Sequence, residues 1–235
     1  MALPILNESI KYEIVVPSTK KTVTYRPYLV KEEKILLQAF ESKDQKTAMR
    51  AMVDTVVACV NEHLNGELLT TYDVEYMFTH IRAKSVGETT TLNGTCSVEE
   101  CKAVSDVVID LTSAEVKQEK EVSNIIELTP EISMELKHPS YTSFLKHFKE
   151  GMSETQFGVS MIEECILSVN TPDERITEWS RQEITTFIDS MTSLQFAKVG
   201  EYLENSPTLQ KDIEWVCTSC GHENKLKLEG LSDFF

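Results

Sequence analysis

Apolar and polar residues alternate along IKYEIVVPSTKKTVTYRPYLV, on both sides of a PSTKK turn. Ile10, Tyr12, Ile14 and Val16 share one face before the turn, and Val23 and Tyr25 continue it afterwards. A period of two interrupted by turn residues predicts a β-hairpin. From Val30 to about Ser42 the period lengthens to that of a helix. Ile35, Leu36, Ala39 and Phe40 make its apolar stripe, with Lys31, Glu32, Glu33 and Lys34 in a solvated first turn. A second helix is predicted from Asp44 to Leu64, burying Ala48, Met52, Val56, Val57 and Val60, with Asn65-Gly66 to end it. A third runs from Tyr72 to Ala83, capped by Asp73 and burying Val74, Met77, Phe78 and Ile81.

SVGETTTLNGTCSVEECKAVSDVVIDL then reads as a β-rich run split by a cysteine-bearing turn. In ISMELK, Ile132, Met134 and Leu136 alternate as a strand until His138-Pro139. Helical patterns follow from Tyr141 to Lys149, Glu154 to Ser168, Ser180 to Met191 and Ser193 to Glu204, with breaks at Pro172 and Pro207. A last strand, LKLE, comes close to the end. The expected class is α+β, mainly helical, with an N-terminal β-hairpin and a zinc-ribbon-like pair of cysteine-bearing hairpins. Residues 1–84 would form the hairpin and its helices, and 112–211 a mainly helical insertion. Residues 85–111 with 212–235 would form a discontinuous ribbon-like module. A weak internal echo supports that pairing, since helix, strand, cysteine pair and strand recur at about 72–111 and 192–231.

Charge narrows the partners. The 235 residues hold 38 acidic and 23 basic side chains, a formal charge of −15. Nucleic-acid affinity rests on Lys and Arg displacing phosphate counterions, so this balance argues against a nucleic-acid partner. Lys20-Lys21 reads as the tip of a turn rather than as a basic patch. The opening MALPILNESIKYEIVV lacks a charged leader followed by an unbroken apolar segment, so no secretory signal is expected. No stretch approaches the roughly 18 apolar residues of a membrane helix, so no membrane partner is expected either. In the reducing compartment this implies, close cysteine pairs point to metal or redox chemistry before structural disulfides.

Two such pairs occur, Cys96-SVEE-Cys101 and Cys217-TS-Cys220. Thiolates at this spacing supply two ligands from one tight turn, and two facing turns complete a tetrahedral zinc site. Gly221 suits a knuckle that needs positive φ after its second cysteine. One structural zinc per chain, held by Cys96, Cys101, Cys217 and Cys220, is the favoured reading, although Cys101 and Cys217 stand 116 positions apart. A redox pair fits less well, because such a pair opens a helix and ENKLKLE reads as a strand. Unligated thiols are the remaining alternative, and whether the two pairs share a metal is left open by spacing alone. Cys59 and Cys165 lie on apolar helix faces as small buried hydrophobes. His222 could substitute as a ligand, whereas His63, His80, His138 and His147 have no partner at ligand spacing.

No catalytic residue is assigned. Phosphate-binding glycine loops, H-E-x-x-H and G-x-S-x-G are absent from the sequence. The doublets Glu99-Glu100 and Glu163-Glu164 would point to different faces of a helix. A metal-dependent enzyme would need an open coordination position, which four thiolates close. A nucleic-acid-binding zinc ribbon is the principal alternative function, opposed by the charge.

Three stretches together carry a family resemblance: RPYLVKEEKILLQAFESKD after the hairpin, DVEYMFTHIRAKSVGE, and the ending CTSCGHENKLKLEGLSDFF, with FIDSMTSLQFAKVGEYLEN before it. In this combination the chain resembles the baseplate hub assembly proteins of T-even-type contractile-tailed bacteriophages. The resemblance implies a virus-encoded protein made in the host bacterial cytoplasm, serving as an assembly chaperone or as a minor hub component in the virion baseplate. It implies other baseplate hub or tail proteins as partners and brings no catalytic residues. Of the closing Phe234-Phe235, packing into the core is expected, since an exposed pair would invite association.

Overall fold

The computed structural model describes residues 11–147 and 152–234. Tyr12–Val15 (β1) and Thr22–Tyr25 (β2) pair antiparallel, with Tyr12 opposite Tyr25. Ile14, Val16, Val23 and Tyr25 are buried, as the alternation predicts; Ile10 lies outside the described residues.

Val30–Glu41 (α1) departs from the expected stripe. Its buried face is Glu32, Leu36 and Ala39, while Ile35 and Phe40 are exposed. Glu32, expected in water, accepts from Arg26 Nη2 at 2.8 Å and from the Leu29 amide at 2.8 Å. Burial pushes its carboxyl pKa up, but these donors outweigh burial and hold it below the ordinary value. Leu36 and Ala39 follow Glu32 at i+4 and i+7, so the paired carboxylate and the core share one side of the helix.

Gln45–Cys59 (α2) starts where Asp44 accepts from the Lys46 amide at 3.1 Å. It stops short of Leu64 because Val60 turns extended and bridges Tyr25 of the hairpin. Thr71–Ser85 (α3) buries Val74, Met77, Phe78 and Ile81 as predicted. Its cap is Thr70 rather than Asp73, which completes a reciprocal capping box from the third helical position. Asp73 also accepts from the Ser18 amide and hydroxyl at 2.8 and 2.6 Å, clamping the hairpin turn onto the helix.

Thr89–Thr95 (β3) and Val104–Asp110 (β4) then form an antiparallel pair, followed by Glu115–Lys117 (β5). Here the chain enters a second compact unit, Gln118–Pro207. It comprises Ile125–Glu127 (β6), Ser133–Leu136 (β7), Tyr141–His147 (α4), Glu154–Cys165 (α5), Ile166–Asn170 (β8), Arg175–Ile176 (β9), Arg181–Asp189 (α6) and Ser193–Glu204 (α7). Of the helix expected from Tyr141 to Lys149, the part beyond His147 lies outside the described residues. The strands form one antiparallel sheet in the order β6-β7-β8-β9. Met134, Leu136 and Ile166 pack there with Ile162, Ile188 and Val199.

Thr208–Val216 (β10) returns the chain to the first unit, and Glu223–Glu229 (β11) pairs with it in a sheet ordered β11-β10-β5. Phe234 is completely buried with Leu209, Leu228 and Ile109. The fold is α+β, but the expectation that it is mainly helical needs correction. The predicted helix through Ser168 ends at Cys165, and β-branched Ile166 and Val169 continue as a strand against β7. Helical periodicity cannot distinguish such a short apolar run from a buried strand. Among the described residues no helix is long and apolar enough to cross a membrane.

Candidate metal centre

The β3–β4 and β10–β11 hairpins carry the two cysteine pairs at their turns, and the local geometry repeats. The amide of the first cysteine donates across each turn: Cys96 to the Ala103 carbonyl at 2.9 Å and Cys217 to the His222 carbonyl at 2.8 Å. The residue after the second cysteine donates to the carbonyl four positions back, Lys102 to Val98 at 3.1 Å and Gly221 to Cys217 at 2.9 Å. Both residues are left-handed, with φ +44° at Lys102 and +74° at Gly221. Glycine adopts this region without steric cost, as the sequence leads one to expect at Gly221. Lys102 occupies the same place in the longer turn.

Two contacts bring the hairpins together. A Cβ on Gly94 would fall 2.8 Å from the Trp215 ring and 2.8 Å from Val107, so glycine in β3 lets the indole of β10 lie against the strand. Asn224, opposite Trp215 in the β10–β11 register, is almost fully buried. Its Oδ1 accepts from the Ser97 amide at 2.8 Å and the Ser97 hydroxyl at 3.0 Å, while Nδ2 donates to the His222 carbonyl at 3.0 Å. One side chain therefore ties both turns together.

All four predicted cysteines meet. Cys96 Sγ lies 3.6 Å from Cys220 Sγ, Cys101 Sγ lies 3.8 Å from Cys217 Sγ, and the four sulfurs are all within 4.8 Å of one another. These separations exceed a disulfide bond of about 2.05 Å. A tetrahedron with metal–sulfur arms of about 2.3 Å has edges of about 3.8 Å, so the constellation is sized to hold one metal ion. The amides of Cys220 and Ser219 donate to Cys217 Sγ and lower its pKa to about 6, which favours the ligating thiolate. Tetrahedral sulfur donors suit zinc or iron.

The other candidates lie elsewhere. Cys59 and Cys165 are buried, and burial raises their thiol pKa values to about 11 and about 12, as befits apolar packing. His222 is exposed and does not belong to the cluster. His147 and Lys146 both contact Glu164, and Glu163 accepts from Thr185. The residues that support the cluster, Asn224 and Gly94, carry weaker signals in the sequence than the cysteines do. Asn224 sits among the charges of ENKLKLE, and only its inward alternation with Leu228 signals burial. Gly94 carried a signal of its own, since glycine inside a strand often marks a close approach.

Comparison with curated proteins gives no match, and neither does comparison with solved structures. A family model described as "T4 bacteriophage base plate protein" matches residues 9–235. The match runs through both hairpins and the unit between them, and the chain belongs to the T4 bacteriophage base plate protein family.

Proposed function

We propose that this baseplate-family protein is a hub assembly factor, either an assembly chaperone or a minor hub component, that works by protein–protein binding. It acts in the host bacterial cytoplasm on other hub or tail proteins. It carries one structural zinc, with Cys96, Cys101, Cys217 and Cys220 as ligands in a discontinuous zinc-ribbon-like module of residues 85–111 with 212–235. Four converging sulfurs support this reading most directly: as thiolates they fill a zinc shell and leave no position for substrate or activated water. The metal then acts as a cross-link, holding two distant hairpins so that the surfaces around them are preorganised.

A charge of −15 also favours protein partners over nucleic acid. Electrostatic complementarity mainly sets partner choice and association rate. The decisive experiment combines zinc quantification on protein purified without chelator with binding measurements against separately purified hub and tail proteins of the same phage. One equivalent of zinc and association with a hub component are expected. Failure to bind any of them overturns the assembly role, and zinc well below one equivalent overturns the metal assignment.

A further inference from the structure

The four sulfurs of the cluster differ in access to solvent. Cys96 and Cys217 are 1 and 2% exposed and Cys101 is partly buried, whereas Cys220 is exposed. Gly221 and His222, which follow Cys220, are exposed as well. The remaining two cysteines, Cys59 and Cys165, are 1 and 0% exposed and stand outside the cluster. A metal-bound cysteine is held as the thiolate. The thiolate is the nucleophilic form, and oxidation selects sulfurs that combine thiolate character with exposure. Cys220 is therefore the sulfur that a dissolved oxidant meets first.

A resolving thiol from the other hairpin stands beside it. Cys96 Sγ is 3.6 Å from Cys220 Sγ. Bonding at about 2.05 Å brings the two sulfurs about 1.5 Å closer, a movement on the scale of side-chain rotation. Hydrogen bonds between the turns hold this crosswise approach. Ser97, next to Cys96, donates to Asn224 Oδ1, and Asn224 Nδ2 donates to the carbonyl of His222, two residues after Cys220. On the other diagonal Thr218, next to Cys217, donates its amide to Ser105 Oγ in β4 at 3.5 Å, and Cys101 Sγ lies 3.8 Å from Cys217 Sγ. Both close sulfur pairs thus run between the hairpins rather than within one.

We propose that the cluster is a redox-convertible lock, in which a peroxide oxidises Cys220, Cys96 resolves the product, and a Cys96–Cys220 disulfide replaces the metal as the link between the hairpins. This deepens the structural-zinc reading and rests on it. Cys220 Sγ attacks one peroxide oxygen and the O–O bond breaks, giving a sulfenic acid and hydroxide. Cys96 Sγ then attacks Cys220 Sγ, forming the S–S bond and expelling a second hydroxide. Two electrons pass from the sulfurs to the peroxide, and two protons from solvent convert the hydroxides to water. Zinc loses two of its four thiolates and dissociates as the divalent ion. The hairpins stay joined, because the disulfide spans the same two turns. A second equivalent of peroxide joins Cys101 to Cys217 in the same way.

The test treats the full-length, zinc-loaded protein with hydrogen peroxide. A chromogenic chelator reads the released metal, and mass spectrometry of non-reduced digests maps the disulfides. One zinc per chain should be released, with Cys96–Cys220 as the first disulfide and Cys59 and Cys165 still reduced. Dithiothreitol followed by zinc should restore the starting state. The oxidised, zinc-free protein should unfold at a higher urea concentration than the reduced, zinc-free protein. Cys59→Ser, outside the cluster, should leave zinc release and the disulfide map as in wild type. Zinc retained under peroxide, a first disulfide within one hairpin, sulfinic acid at Cys220 without any disulfide, or equal urea midpoints each overturn the lock and leave the zinc assignment standing. A preparation that never carries zinc overturns that assignment, and the lock with it.

Discussion

Lys117 and Thr208 are paired across β5 and β10, with the whole of Gln118–Pro207 between them in sequence. The pairing closes the root of the second unit, so that the chain re-enters the first unit already in register. From there β10 runs directly to Cys217, and Leu209, beside Thr208, is completely buried in the first unit's core. A separation of 116 residues between Cys101 and Cys217 thus costs the cysteine cluster little, because β-pairing closes the long loop before the cysteines are reached.

If the two hairpins share one zinc, Cys96→Ser and Cys217→Ser should each remove the metal and lower stability by similar amounts. Structural zinc supplies much of the folding free energy of small metal modules, so a loss of several kcal/mol is expected. Zinc content and urea unfolding check this. A large effect of Cys217→Ser alone would defeat the shared-site assignment.

Asn224→Ala should destabilise the chain by about 1–3 kcal/mol, because it strands the Ser97 amide and hydroxyl where Oδ1 accepted them. The four sulfurs are not touched, so one equivalent of metal should still bind, but more weakly. Chelator competition alongside chemical denaturation separates the two effects.

Gly94→Ala should cost about 1–3 kcal/mol through overpacking, since the new methyl meets the Trp215 ring and Val107 at 2.8 Å. Trp215 is the local reporter. Its fluorescence should shift in the variant while Trp179, in the second unit, keeps its own signal.

Glu75 in α3 accepts from the backbone amides of Leu231 and Leu209, and burial outweighs those bonds, raising its pKa to about 7. Between about pH 4.5 and 7 the unfolded chain releases a proton that the folded chain keeps. The contribution of Glu75 is therefore fully present below that window and lost as pH rises through about 7. Glu75→Gln should match wild type near pH 4 and be more stable near pH 8, by about 3 kcal/mol. Unfolding midpoints at the two pH values measure the difference, and equal gaps at both would refute it.

Much of this was legible in the sequence because it depends on local rules. The period-two alternation of Tyr12 to Tyr25 and the 3.6-residue period of Val74, Met77, Phe78 and Ile81 reflect backbone geometry, which a chain carries wherever it packs. The cysteine spacings likewise determined two knuckles, since chelation from a tight turn is a local demand. The inward face of α1 was not legible: Ile35 and Phe40 are as apolar as Leu36, and only the burial of Glu32 against Arg26 decided which side turns to the core. The strand at Ile166–Asn170 was equally hidden, because its identity comes from pairing with β7 rather than from its own period. That Cys96 meets Cys220 and Cys101 meets Cys217 was decided by tertiary structure alone, through the β5–β10 root, the Gly94–Trp215 contact and the Asn224 clip. Such long-range contacts leave no periodic trace in the chain, because each is made by residues that only the fold brings together.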